Sequence, residues 1–280
     1  MTTIAVTGAT GAVGGAVAHL LGEAGLEQRL VVRSPDRAPQ IPGAHVVQAS
    51  YGDAEASDAA LAGVDVLFMV SGAESAERLD QHRAFVDAAA RAGVQHVVYT
   101  SFLGASPTAV FTLARDHWYT EEHIRASRMA YTFLRDSFYL DFLPMLAGED
   151  GVIRGPAGQG RLGAVAREDV ARVAAVVLQD PASHAGQTYE LTGREALSIP
   201  EAIEVIREVT GRDLAYVDET VPEAYESRRV YDAPDWEVHA WVSTYTAIAQ
   251  GELATVTETV ERLTGRPPLT LRELLSQQAG

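Results

Sequence analysis

The chain has 280 residues, 47% of them hydrophobic, a formal charge of −16 and no cysteine. This much apolar material can bury a large core, so one principal domain with a smaller attached lobe is expected. The acidic balance argues against a nucleic-acid backbone or an anionic membrane as partner, and the missing cysteine excludes disulfides, thiol nucleophiles and thiolate metal sites.

The first element is Ile4-Ala5-Val6, a buried parallel strand that breaks into Thr7-Gly8-Ala9-Thr10-Gly11-Ala12-Val13-Gly14. Glycines at three-residue spacing between a strand and a helix suit a pyrophosphate: a turn free of Cβ clashes, close backbone approach and tight packing of helix on sheet. The anion then sits on a helix N-terminus, where unpaired N–H groups and the dipole favour it. The strand begins so near Met1 that no signal peptide is expected, and no apolar run reaches the roughly 18 residues of a membrane span. A cytoplasmic location is expected.

Val17, Leu20 and Leu21 line the first helix, and Gly25 closes it as a left-handed cap. Leu30, Val31 and Val32 form the second strand. The residue after this strand faces the adenosine ribose in a dinucleotide fold, where an acid suits a 2′-hydroxyl and an arginine a 2′-phosphate. Arg33 stands there, with Arg37 close behind, and the pair favours NADPH over NADH.

Val46 and Val47 make a third strand leading to Tyr51-Gly52-Asp53. Asp53 suits either the adenine amino group or the N-cap of the next helix, and the sequence leaves both open. The fourth strand, within Val64–Val70, ends in Ser71-Gly72 at the sheet edge where a cofactor lies. A helix over 83–91, closed by Gly93, leads to Val97-Val98-Tyr99-Thr100-Ser101. Short strand–helix alternations imply right-handed crossovers and a doubly wound parallel sheet.

A helix over 113–127 and a sixth strand, Tyr131-Thr132-Phe133-Leu134-Arg135, follow. Residues 136–163 lose regularity and read as lid and substrate wall. Glu168-Asp169 start a helix carrying Val170, Val173, Val176 and Val177, and Thr188–Leu191 is a last strand. Beyond Ser198 the chain becomes helix and loop. Ser198-Ile199-Pro200-Glu201 starts a helix with Pro200 at its first position, and Pro267-Pro268 precede a terminal helix.

These residues resemble the NmrA-like branch of the atypical short-chain dehydrogenases. The resemblance rests on the glycine motif, Val32-Arg33, Asp87–Val94 running into Val98-Tyr99-Thr100-Ser101, Tyr131–Arg135, and Leu263-Thr264-Gly265-Arg266-Pro267-Pro268 with Leu271-Arg272-Glu273. It implies an α/β Rossmann fold, NADP(H), and a cleft under a small, mostly helical C-terminal substrate lobe. The nucleotide domain is expected at 1–135 and 164–194, the lobe at 136–163 and 195–280.

Classical short-chain dehydrogenases carry a tyrosine and, four residues on, a lysine that lowers its pKa. Here the two positions fall at Leu113 and His117; Tyr119 and His123 have the spacing but lie too late in the helix. His117, with Glu121 one turn on to orient its imidazole, is a candidate partner of ribose or substrate, or else a helix-surface histidine. Ser101 or Thr100 is placed to bond a carbonyl oxygen. Tyr99 and Tyr139 are the alternative acids. No His-Glu-x-x-His and no Gly-x-Ser-x-Gly occurs, so neither a metal nor a serine-hydrolase reading has support.

A ketone becoming an alkoxide needs a positioned acid, whereas a quinone taking hydride yields a stabilised phenolate. Hydride transfer to a quinone-like or other conjugated acceptor is therefore preferred, with Phe138, Tyr139, Phe142, Trp236 and Trp241 as wall for a flat, apolar small molecule. The second hypothesis is a non-catalytic NADP(H) sensor. Either is compatible with a homo-oligomer.

Overall fold

In the computed structural model, which describes residues 2–279, the elements are β1 (Ile4–Thr7), α1 (Ala12–Glu23), β2 (Gln28–Val32), β3 (Ala44–Gln48), α2 (Ala54–Leu61), β4 (Val66–Met69), α3 (Arg78–Ala92), β5 (His96–Phe102), α4 (Thr112–Ala126) and β6 (Ala130–Asp136). There follow β7 (Val152–Gly155), β8 (Arg161–Leu162), α5 (Arg167–Gln179), β9 (Gln187–Leu191), β10 (Leu197–Ser198), α6 (Ile199–Thr210), β11 (Ala215–Asp218), α7 (Val221–Ser227), α8 (Asp235–Ala249), α9 (Thr259–Thr264) and α10 (Leu271–Ala279). Among the described residues no helix is long and apolar enough to cross a membrane.

The chain divides into two compact units, the first comprising Met1–Phe102, Asp116–Arg135 and Val170–Tyr189, the second the remainder. By this division residues 103–115, 164–169 and 190–194, placed with the nucleotide domain on sequence, fall in the second unit.

The main sheet has the order β3-β2-β1-β4-β5-β6-β9. β1 pairs in parallel with both β2 and β4, β2 with β3, and β4 with β5. This is the doubly wound Rossmann arrangement, and the change of direction between β1 and β4 is its topological switch point. Apolar strands buried on both faces explain why β1 and β4 read as unbroken hydrophobic runs. Leu67, Phe85, Val97, Tyr99 and Phe133 fill the core beside them.

Helix α3 begins a turn and more before the expected position because Arg78 and His82, both buried, take the inward places where apolar residues were sought. A second buried polar cluster joins α4 to β5 and β6. The Ser101 hydroxyl donates to Glu121 Oε1 at 2.6 Å, while Arg135 Nε and Nη2 donate to Glu121 Oε1 and Oε2 at 2.8 and 2.7 Å. Glu121 is fully buried, so its charge depends on these partners.

In the second unit, two small sheets lie in stretches read as irregular: β7 pairs in parallel with β11, and β8 antiparallel with β10. Each pairing joins segments far apart in sequence, which leaves no local signature. The α6 terminus carries a reciprocal cap: Glu201 N donates to Ser198 Oγ and Ser198 N to Glu201 Oε2. Helix α6 begins at Ile199, so Pro200 sits one place later than expected.

Replacing Glu121 by Ala removes the fully buried carboxylate that pairs with the partly buried Arg135 guanidinium and accepts the Ser101 proton. A loss of about 3–5 kcal/mol is expected, measurable by denaturant unfolding, with Glu121→Gln costing less.

Candidate functional site

The loop between β1 and α1 is built by three glycines with separate jobs. Gly8 has φ +65°, a left-handed conformation glycine adopts freely. Gly11 N donates to Gly8 O at 2.8 Å and closes the turn. A Cβ on Gly14 would stand 2.4 Å from Gly8 O, so only glycine lets α1 rest on the strand end. A Cβ on Gly11 meets only Gly8 O, at 3.3 Å, and points otherwise into open space.

Helix α1 has Gly11 as its N-cap, no side-chain cap and no acidic residue in its first turn. Thr10, Gly11 and Ala12 are exposed, and Val13 and Gly14 are buried beneath them. The first-turn N–H groups, Ala12 among them, therefore face an open cradle with the positive end of the dipole. This is the donor set a pyrophosphate requires, and the residues fit a dinucleotide.

The floor of the cradle is locked by polar contacts. The Tyr51 hydroxyl donates to Val70 O at 2.5 Å and accepts from Thr7 Oγ1 at 2.6 Å, and Thr7 Oγ1 in turn accepts from Val70 N at 2.9 Å and lies 3.2 Å from Phe68 O. Thr7 is thus a strut between β1 and β4; its side chain is used up below the cofactor surface. Burial holds the Tyr51 phenol far above its usual range.

Ser71 N donates to Thr100 Oγ1 and Gly72 N to His82 Nε2, both at 2.8 Å. The Thr120 hydroxyl donates to Asp116 O, so it accepts from His82 Nδ1 at 2.9 Å, and His82 is the neutral Nδ1–H tautomer. Burial, with the Arg78 charge beside it, drives its pKa down to about 3. Tyr51 and His82 position this edge yet carry no motif; only their partners reveal them.

Arg33 follows β2 and is exposed, its carbonyl accepting from Gln48 Nε2 at 3.1 Å. Arg37 closes the short turn Pro35–Arg37. Neither guanidinium has a carboxylate partner among the described residues, although most arginines in this chain do. Asp53 is the N-cap of α2, its Oδ1 accepting from Ala56 N at 3.0 Å, so the helix start uses one of its two carboxylate oxygens.

The catalytic candidates are placed differently from the expectation. His117 is buried; its Nδ1 lies 3.0 Å from the Tyr99 hydroxyl, and its ring also bonds the Thr100 backbone. Burial and the charge of Arg78 hold its pKa well below the ordinary range. Glu121 does not orient it, being committed to Ser101, Arg125 and Arg135. Ser101 is fully buried and spends its only proton on Glu121, so it has none for a substrate oxygen. Tyr99 is likewise fully buried, with its phenol pKa raised by desolvation. Tyr119 is exposed and His123 pairs with Asp87 at 2.7 Å, a surface arrangement. Tyr139 lies in the second unit, where it donates to Asp136 Oδ2 at 2.5 Å. The chain contains no lysine at all, so no other residue supplies the missing classical partner.

Comparison with known proteins agrees with this geometry. The NmrA-like family matches residues 1–240. Quinone oxidoreductase 2 of Escherichia coli is 33% identical over 98% of this chain and 97% of its own length. An NAD(P)H azoreductase of Xenophilus azovorans is 32% identical over 99% and 98%. Among solved structures, the NADPH complex of the NADPH-dependent quinone oxidoreductase of Escherichia coli superposes with a TM-score of 0.89 at 32% identity, covering 99% of this chain and all of that one.

Gly11 and Gly14 should respond oppositely to substitution. Gly11→Val is expected to keep its melting temperature while losing NADPH affinity, read by cofactor fluorescence. Gly14→Ala is expected to lose about 1–3 kcal/mol of stability in thermal unfolding, because the added carbon collides with backbone.

Proposed function

The chain belongs to the NmrA-like family, and from that premise we propose that it is an NADPH-dependent oxidoreductase reducing quinone-like or related conjugated acceptors without the classical tyrosine–lysine pair. The uncapped, side-chain-free N-terminus of α1 over the Gly8–Gly14 turn is the observation that carries the reading. The N–H groups from Ala12 to Gly14 would hold the pyrophosphate, and Arg33 with Arg37 the 2′-phosphate. Ser71 and Gly72, clamped by Thr100 and His82, form the edge along which the cofactor extends. When bound, NADPH supplies the hydride.

The residues available for proton transfer decide the acceptor class. With no lysine, and with Tyr99, Ser101 and His117 all engaged inside the first unit, no activated acid among the described residues there stands ready for a strongly basic alkoxide, and the Thr100 hydroxyl is only a weak donor. A quinone needs only a weak donor, since its reduced form is a delocalised phenolate. In the second unit Phe138, Tyr139 and Phe142 form a partly exposed aromatic patch, with ring centroids of Phe142 and its two partners 6.2 and 5.9 Å apart. Such a patch suits a flat, apolar molecule. We place its action in the cytoplasm, a reducing compartment with which a chain that needs no disulfide is compatible.

NADPH should bind more tightly than NADH, and Arg33→Asp should reverse the order in a fluorescence titration. A charge-assisted bond is worth about 1.5–3 kcal/mol, so a shift of roughly 10- to 100-fold is expected. Equal affinities in the unmutated protein would refute the assignment.

In steady-state assays, simple ketones should trail quinones by at least about 10²-fold, the usual scale of general-acid catalysis. Brisk reduction of an unactivated ketone, or tight NADPH binding with no turnover on any quinone, would overturn the proposed chemistry.

A further inference from the structure

A cleft of about 670 Å³ opens between α7, the short helical turn Arg228–Tyr231 and the start of α8. All of its walls come from residues 225–239, so it lies wholly within the second unit. Its volume falls inside the range of small-molecule sites, roughly 300–1,000 Å³. Val230 and Tyr231, in the turn between cleft residues Arg229 and Asp232, are 80% and 61% exposed. Apolar side chains left in water at the edge of a cleft are a mark of a binding surface.

The walls are aromatic and held in place. Trp236 and His239 stand three residues apart on α8 and share one face of it. Tyr225 on α7 meets His239 from the other side: its hydroxyl lies 2.5 Å from His239 Nδ1, and the two rings are 24° from parallel with centroids 6.2 Å apart. Arg228, 7% exposed, is spent on the protein itself. Its Nη1 donates to Glu219 Oε2 at 3.0 Å and to Ala224 O at 2.9 Å, and its Nη2 to Arg154 O at 2.8 Å.

The charges of the cleft do not cancel. Glu219 neutralises Arg228, and Glu226 lies 3.0 Å from the exposed Arg229 guanidinium. Asp232 and Asp235 are exposed, and neither carboxylate has a hydrogen-bond or ion-pair partner among the described residues. Asp232 has φ +48°, a left-handed conformation that aspartate adopts more readily than most residues, and it turns the chain into α8. The positive end of α8 amounts to about half an elementary charge. Two carboxylates outweigh it.

We propose that this cleft binds a flat organic cation, an N-alkylated or protonated heteroaromatic, with its ring against Trp236 and the Tyr225–His239 pair and its charge toward Asp232 and Asp235. Tryptophan offers the strongest ring face for a cation, and the contact gains as water is displaced from it. An anion of the same shape finds both guanidiniums already paired and meets two free carboxylates in a chain of formal charge −16. This binding goes beyond the reductase reading and does not rest on it.

The test is a calorimetric titration of the full chain, without NADPH, at pH 8. The probes are 1-methylquinolinium, quinoline, which is neutral at that pH, and the anion 2-naphthoate. The cation is expected to bind at one site at least about fivefold more tightly than quinoline, within the range of a partly desolvated cation–π contact. The double variant Asp232→Asn, Asp235→Asn should lose this preference while binding quinoline as the wild type does. Asparagine also tolerates the left-handed backbone of position 232. Removing two carboxylates changes the formal charge only from −16 to −14, so general attraction of cations by an acidic chain would barely change.

Trp236→Leu keeps the apolar bulk and removes the ring face. It should weaken binding of the cation by about threefold or more, and each variant should melt as the wild type does. The chain has three tryptophans, Trp118, Trp236 and Trp241. In ¹H–¹⁵N spectra the indole signal missing from Trp236→Leu should be one that 1-methylquinolinium moves, while that of Trp118, in the first unit, stays in place. No binding of 1-methylquinolinium, equal or tighter binding of quinoline or 2-naphthoate, an undiminished preference in the double variant, or a Trp236 signal that does not move would each overturn the site.

Discussion

Helix α1 approaches β1 so closely at Gly14 that no side-chain carbon fits between the helix and the carbonyls of Thr7 and Gly8. The other features of the cofactor cradle depend on that contact. It brings the first turn of α1 over the end of the central strand, where the dipole and the unshared N–H groups of the first turn act together on an anion. A capping serine or aspartate at position 11 would have satisfied those donors internally. Glycine leaves them for a ligand.

Such a site needs a rigid floor, and in this protein the floor is polar. Thr7 ties β1 to β4, Thr100 holds Ser71, and His82 holds Gly72. Burial and the nearby Arg78 charge lower the pKa of two imidazoles, His82 and His117, which favours the neutral form that can accept a hydrogen bond. Buried polar links of this kind are costly unless fully satisfied, and here each named member has a partner. They fix the strand ends more sharply than apolar packing alone would.

The same economy limits the chemistry. Two candidate proton donors of the first unit are drawn into structure, Ser101 donating to Glu121 and Tyr99 facing His117, while Thr100, which accepts from Ser71 N, is a buried alcohol and a weak acid at best. No lysine exists to activate a phenol. An acceptor whose reduced form is already a weak base is the natural match.

The Rossmann domain was legible because its signals are local. Buried parallel strands read as short apolar runs, the Gly8–Gly14 spacing carries its own steric logic, and Arg33 follows its strand directly, so sheet class, cradle and cofactor preference all follow from residues near one another in the chain. Helix α3 was cut short only because Arg78 and His82 occupy core positions. What depends on pairing across long sequence separations stayed hidden: the small sheets of β7 with β11 and β8 with β10, the partner of Glu121, and the inward turn of His117. Spacing on a helix put Glu121 beside His117, but the partly buried guanidinium of Arg135 offered its carboxylate a stronger, charged partner. Sequence alone determined the fold and the phosphate site, since both rest on backbone sterics; tertiary structure alone decided which polar side chains remain free for chemistry, since that depends on which partner reaches each of them first.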